Sequence, residues 1–298
     1  MVERNAGRSA SDPSEGGVRD TLSGCAIGLT FRHAKFDTMS DILFTTDSGV
    51  ATITLNRPDV LNSFNRSMAR ELRESIERVA GDASLRAVVL TGAGRGFCAG
   101  QDLAEAMPKD GAMPDLGDIV RDSYNPVIRA IRGLEKPVIC AVNGVAAGAG
   151  ANLAFACDIV FAAANASFIQ SFAKIGVIPD SGGTFILPRI VGLHRANVMT
   201  MLAEKMTAQQ ARDWGLVYMV TELEALLDTA TGVAKQLATQ PTRALGLIKR
   251  GFNKSLGVDL ADQLDYEEEI QREAGKTEDY AEGVSAFLEK RAPVFKGR

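Results

Sequence analysis

The chain has 298 residues, 46% apolar and 23% charged, which suffices for one large domain or two small ones with a sizeable buried core. A net charge of −4 gives no electrostatic reason to expect nucleic acid or a membrane surface as partner. Two histidines, His33 and His194, and four cysteines without metal-type spacing argue against a metal site, and the cysteines read as reduced thiols of a cytoplasmic protein.

Residues 1–38 are rich in Ser, Gly, Asp and Arg, show little periodicity and carry no apolar signal-type stretch, so they read as a disordered tail. The pattern of residues 42–55 is a hairpin, with its turn at Asp47-Ser48-Gly49. Met68, Leu72, Ile76 and Val79 recur at helical spacing and predict an amphipathic helix over 65–80. Residues 87–91 form a short apolar strand that runs into a first glycine-rich loop. A Pro/Gly/Asp-rich surface loop follows at 107–117, then a helix at 118–133. A second buried strand, 137–142, enters a second glycine-rich loop, with a buried helix at 149–156 and a third strand at 159–162. Residues 138–157 carry no charge, but three glycines, two asparagines and many alanines make them a strand, turn and helix rather than a membrane span. Beyond Glu222 the pattern is helical: 222–239, 241–255, 259–274 and 279–290. The whole reads as α/β, with a parallel-type core and the active site over 39–222 and a helical module over 223–298.

The two glycine-rich loops, Phe97-Cys98-Ala99-Gly100-Gln101-Asp102 and Asn143-Gly144-Val145-Ala146-Ala147-Gly148-Ala149-Gly150, each follow a buried strand and precede a turn or helix. Such junctions expose N–H groups that have no intrahelical partner, the helix dipole adds partial positive charge, and small residues let a ligand touch the backbone. Two such donors converging would form an oxyanion hole, worth on the order of 2.7–4 kcal/mol per donor. Taken singly, each loop is read at least as well as tight turning and close packing. Neither has nucleotide-binding spacing: Thr91-Gly92-Ala93-Gly94-Arg95-Gly96 lacks the dinucleotide fingerprint, and no Gly-Lys-Ser/Thr ending occurs. Downstream, Ile178-Pro179-Asp180-Ser181-Gly182-Gly183 sets one carboxylate in an apolar, glycine-rich context. A wall of Phe172, Ile175, Val177 and Ile178 would desolvate Asp180, raise its pKa and suit it to proton transfer beside a carbonyl. The plainer alternative is that Asp180 caps a helix starting near Thr184.

Taken together, Leu55-Asn56-Arg57-Pro58, Gly96-Phe97-Cys98-Ala99-Gly100-Gln101-Asp102-Leu103, Ala141-Val142-Asn143-Gly144, Ala147-Gly148-Ala149-Gly150 and Pro179-Asp180-Ser181-Gly182-Gly183 resemble the enoyl-CoA hydratase/isomerase (crotonase) family. The resemblance runs from about residue 40 to the C-terminus. Through Phe168-Ile169-Gln170, Leu245-Gly246-Leu247-Ile248-Lys249 and the segment 283–291 it extends to family members that isomerise a ring-epoxidised phenylacetyl thioester. It implies a crotonase-like spiral of ββα units whose C-terminal helical module covers the site and joins subunits in a homotrimer or a dimer of trimers. It also implies an acyl-CoA substrate with no separate cofactor, coenzyme A being part of the substrate. The thioester carbonyl would meet the N–H groups of Ala99 and Ala149, the adenine would lie near Gln101, Asp102 and Leu103, and Gly100, Gly148, Pro179, Asn152 and Phe172 would complete the binding site.

The departures from the hydratase pattern carry most of the information. Hydratases of this family use a glutamate three residues after the second oxyanion donor, where this chain has Asn152, and another where it has Phe172. Without both, hydration loses its two bases, and Asp180 falls where several isomerases of the family keep their acid/base. The resemblance therefore implies an α-to-γ proton shift through a thioester enolate. Straight-chain 3-enoyl or dienoyl isomerisation, hydration and a non-catalytic CoA-binding scaffold stand as the alternatives. Asp102 reads better as a capping residue than as a base, Asn152 either bonds within the core or orients substrate, and Cys98 lacks a histidine to activate it. Tyr124 and Phe64 suit either the core or contact with an aromatic acyl group. Lys249, Lys254, Lys290 and Lys296 suit a solvated face or contact with CoA phosphates.

Overall fold

The computed structural model describes residues 40–298 except 109–111 and 113; the predicted tail over 1–38 lies outside the described residues. The hairpin forms as β1 (Ile42–Asp47) and β2 (Val50–Leu55), paired antiparallel with Asp47 opposite Val50. Helix α1 (Arg66–Gly81) starts at Asn65, whose side chain accepts the Met68 N–H at 2.7 Å, and it buries the predicted Met68, Leu72, Ile76 and Val79.

Three strand pairs then repeat one plan. β3 (Ala87–Gly92) is followed by β4 (Gly96–Cys98) and by the short helices α2 (Leu103–Ala106) and α3 (Leu116–Ile119). A wide π turn, Val120–Tyr124, joins α3 to α4 (Asn125–Gly133). β5 (Val138–Val142) and β6 (Val145–Ala147) lead into α5 (Ala149–Phe155). β7 (Ile159–Ala163) and β8 (Ser167–Ile169) lead, through a 3-10 turn at Ser171–Ile175, into α6 (Gly183–Val191) and α7 (Leu193–Asn197). β9 (Met206–Thr207), α8 (Ala208–Asp213) and β10 (Met219–Thr221) complete this part.

The strands sort into two sheets. The larger has the order β1-β2-β3-β5-β7-β10, parallel apart from the β1–β2 hairpin. β3 and β5 are near-continuous apolar runs because both faces are covered. Helix α9 (Leu223–Ala238) lies across β3, β5 and β7, and its buried Ala230, Ala234 and Ala238 permit the close approach. The smaller sheet, β4-β6-β8-β9, corrects the sequence reading, which placed 96–98 and 145–147 within loops. Each of these strands spans three residues or fewer, too short to show a period of two.

α10 (Thr242–Ser255), α11 (Leu260–Ala274) and α12 (Glu278–Glu289) follow where helices were predicted. Lys249 is not a solvated or phosphate-facing lysine. It is buried on α10 and donates to the Ile131 carbonyl at 2.7 Å and to Asp158 at 2.8 Å. Among the described residues, no helix is long and apolar enough to cross a membrane.

Candidate active site

The smaller sheet brings the two glycine-rich loops side by side, because β4 and β6 are parallel neighbours. The approach is close: a Cβ on Gly150 would lie 2.7 Å from both Cβ and Sγ of Cys98. Gly100, at φ +93°, leaves no room either, since a Cβ there would sit 2.8 Å from the Ala147 carbonyl oxygen. Gln101, Ala99 and Gly100 from the first loop, with Gly148 and Ala149 from the second, line a cavity of about 730 Å³.

Ala149 is the first residue of α5, so its N–H has no intrahelical acceptor, and no protein acceptor is found for it among the described residues. Ala99 differs. Its N–H donates to the Leu61 carbonyl at 2.9 Å, so the two predicted oxyanion donors are not equivalent. The cause is local: Leu61 and Asn62 both take left-handed backbone conformations and are held against β4, with Asn62 donating to the Gly96 carbonyl at 2.8 Å. Ala149 is a free donor. Ala99 becomes one only by giving up or sharing its bond to Leu61.

Asp180 stands on the same cavity wall with Pro179, Phe172, Ile175, Val177 and Ile178, the apolar surroundings expected from the sequence. Burial pushes its carboxyl up to about 6, against a smaller opposing effect of the Ser181 hydroxyl, which donates to Oδ1 at 2.9 Å. The capping alternative does not hold. Gly182 precedes α6 and no side chain caps that helix; the Asp180 backbone carbonyl, not its carboxylate, accepts the Gly183 N–H at 2.8 Å. Asp180 is the one carboxylate among the described residues that line the cavity.

Several predicted binding residues have other places. Asn152 does not line the cavity. It is 1% exposed on α5, donates to the Asp180 carbonyl oxygen at 2.9 Å and accepts from Gln170 Nε2 at 2.9 Å. In this structure it ties α5 to the loop that carries Asp180, the core-bonding alternative of the two left open by sequence. Asp102 pairs with Arg57 at 2.8 Å and caps α2 through the Ala104 N–H, as its reading as a capping residue expected. Leu103 begins α2, and its side chain lies outside what the structure describes. Cys98 is fully buried and its thiol is pushed up to about 12, so no thiolate is available there. Sequence reasoning missed Gln170 and Ser181 as supports of Asp180 and Asn125 as a wall residue; only the strand at 167–169 and the pitch of the helix reveal them. No cluster of candidate metal ligands occurs among the described residues.

The arrangement offers one desolvated carboxylate and one free backbone N–H at a helix start on the wall of a single cavity. That is suited to removing a proton next to a carbonyl whose oxygen is bound by the N–H.

Comparison with known proteins supplies the family context. The family model described as enoyl-CoA hydratase/isomerase matches residues 45–298. The chain is 52% identical over 261 residues to 1,2-epoxyphenylacetyl-CoA isomerase of Escherichia coli K12, covering 87% of this chain and all of that protein. It is 38% identical to 2,3-dehydroadipyl-CoA hydratase of the same organism, covering 87% of this chain and all of the relative. The crystal structure of an enoyl-CoA hydratase from Bacillus anthracis superposes with a TM-score of 0.81 at 33% identity, covering 87% of this chain and 100% of that one.

Proposed function

The chain belongs to the enoyl-CoA hydratase/isomerase family, and on that footing we propose that it is an acyl-CoA isomerase acting on ring-1,2-epoxyphenylacetyl-CoA. The observation that carries this reading is the lone Asp180 carboxylate, raised to about 6 and lying on one cavity wall with the free Ala149 N–H. A carboxylate with that affinity is ionised at neutral pH yet basic enough to accept and return a proton.

The chemistry balances without water or a redox partner. The epoxide opens to the seven-membered oxepin. Asp180 takes the proton from the carbon α to the thioester, and the C–H electron pair becomes the enolate. The enolate oxygen is held by the Ala149 N–H and by the Ala99 N–H once it leaves Leu61. Asp180 then returns the proton at the γ carbon, which moves a double bond into conjugation. No atom is gained or lost, so no cofactor beyond the substrate's own coenzyme A is needed. Hydration is disfavoured because Asn152 is buried in a structural role and Phe172 is apolar, leaving no second base on the described wall.

We read the protein as cytoplasmic and as a homotrimer or a pair of trimers. Exposed apolar side chains on α6, α7 and α10, among them Phe185, Leu193 and Phe252, support assembly. The test of the activity is direct. Wild-type protein should convert the ring-epoxide thioester and exchange its α proton in deuterated water, and Asp180→Asn should lose about 10²–10⁴-fold in both while keeping its fold. Wild-type turnover in the Asn variant sinks the proposal. Incorporation of water into crotonyl-CoA at a comparable rate would favour a hydratase instead.

A further inference from the structure

A stretch of helix that changes pitch builds part of the cavity wall. Val120–Tyr124 is π-helical and passes into α4 at Asn125, whose N–H donates to the Val120 carbonyl five residues back. In an α-helix, residues five apart point about 140° away from each other. The wider turn brings them towards one face, and such turns recur at functional sites. Val120 and Asn125 accordingly both line the cavity.

Asn125 also lies at the Asp180 end of that cavity. Ile128, one turn further along the same face of α4, comes within 3.7 Å of where a Cβ on Gly182 would be. Gly182 is only two residues past Asp180. Next to Asn125, Tyr124 lines a second, small cavity together with Ile128, Ala149 and Ser181, the residue that follows Asp180.

The other polar side chains of the wall are otherwise disposed. Ser181 donates to Asp180 itself at 2.9 Å. Ser171 stands beside the oxyanion loop, its Oγ 3.5 Å from where a Cβ on Gly148 would be. Thr184 is exposed on the first turn of α6. Gln101 Nε2 is buried in the wall of the first loop without a partner. Asn125 is half-buried, and its carboxamide has no hydrogen-bond partner among the described residues.

We propose that Asn125 is a specificity-determining residue whose carboxamide N–H donates to the ring oxygen of the acyl group: the epoxide oxygen of the substrate and the ether oxygen of the oxepin. This rests on the ring-epoxide reading of the preceding section. An acyl ring entering the cavity takes this amide out of contact with solvent. A ring oxygen replaces the lost bond, whereas a hydrocarbon chain leaves the amide unpaired. Asn125 thereby selects oxygenated ring thioesters against straight-chain 3-enoyl thioesters.

The test compares kcat/KM of wild type, Asn125→Leu and Asn125→Ala on ring-1,2-epoxyphenylacetyl-CoA and on a straight-chain 3-enoyl-CoA, with melting temperatures alongside. Both variants should lose about tenfold on the ring epoxide, the worth of one neutral hydrogen bond, and keep or improve the straight-chain rate. Asn125→Ala adds no bulk and carries the same expectation should the Leu variant not fold. Unchanged ring-epoxide kinetics, or equal losses on both substrates, overturns the assignment of Asn125 alone. A wild type that turns over only the straight-chain thioester overturns the ring-epoxide reading, and this inference with it.

Discussion

Two charged side chains taken out of water meet opposite treatment in this molecule. Lys249 is 8% exposed and fully partnered: it bonds Asp158 and the Ile131 carbonyl, and Asp158 in turn accepts from Arg132 at 3.3 Å and from the Val138 N–H at 2.9 Å. Asp180 has on its carboxylate the neighbouring Ser181 hydroxyl and its own backbone N–H, and no cation among the described residues offsets its burial. The first cluster joins α10 to the starts of β5 and β7, and its charges answer one another. The second keeps a carboxylate short of partners in an apolar wall. That shortage raises its proton affinity, and the raised affinity makes it useful. The difference teaches that a buried charge points to chemistry when its neighbours leave it unanswered.

The sharpest way to break that comparison is to unbalance the paired cluster. Lys249→Met removes the buried ammonium and leaves Asp158 with Arg132 and the Val138 N–H. Breaking a buried pair by removing one partner costs about 3–5 kcal/mol. The partners that Asp158 retains place the expected loss near the lower end, about 3 kcal/mol in urea unfolding. Turnover per folded molecule should be unchanged. A variant as stable as wild type would show that the cluster contributes no more than a surface pair.

How much of this was legible in the sequence follows from the length of each signal. The long elements, α1 and the helices from α9 to α12, were readable because Met68, Leu72, Ile76 and Val79 and their counterparts repeat over several turns. The second sheet was not, since Gly96-Phe97-Cys98 and Val145-Ala146-Ala147 are too short for any period and look like glycine-rich loop. Asp180 stood out because a lone carboxylate among Pro, Gly and Ile is unusual locally. What Asn152 does was illegible: its partners, Gln170 and the Asp180 carbonyl, lie 18 and 28 residues away in sequence and meet only when β8 and α5 pack. The engagement of the Ala99 N–H by Leu61 was hidden for the same reason, being a contact between segments 38 residues apart.

Asn152 links the two sides of the comparison, a satisfied polar group that supports an unsatisfied one. Asn152→Ala removes the donor to the Asp180 carbonyl and strands the Gln170 amide, which is itself 1% exposed. Misplacement of a catalytic group by about 1 Å can cost on the order of 10²-fold. The Gly183 N–H still holds the carbonyl, so a fall in kcat of about tenfold is expected, with KM little changed. Loss of stability with kcat intact would reduce Asn152 to a packing role.

The smallest effect is the most diagnostic, because its sign is opposite to intuition. The Asp180 carboxyl is raised from 3.8 to about 6, so the folded protein binds a proton there more tightly than the unfolded chain does. Between those values the folded state holds the extra proton, and stability falls as pH rises through about 6, where the carboxylate must ionise in a poor solvent. kcat/KM runs the other way. It should rise through the same midpoint, since the base acts only when ionised. Asp180→Asn removes the ionisation, so at pH 7 the inactive variant should be more stable than wild type, by on the order of 1 kcal/mol after allowance for the side chain's partial exposure. At pH 4 the two proteins should melt together. A stabilisation that is the same at both pH values would trace to something other than the charge, and Asp180 would then be no more strained than the paired carboxylate of Asp158.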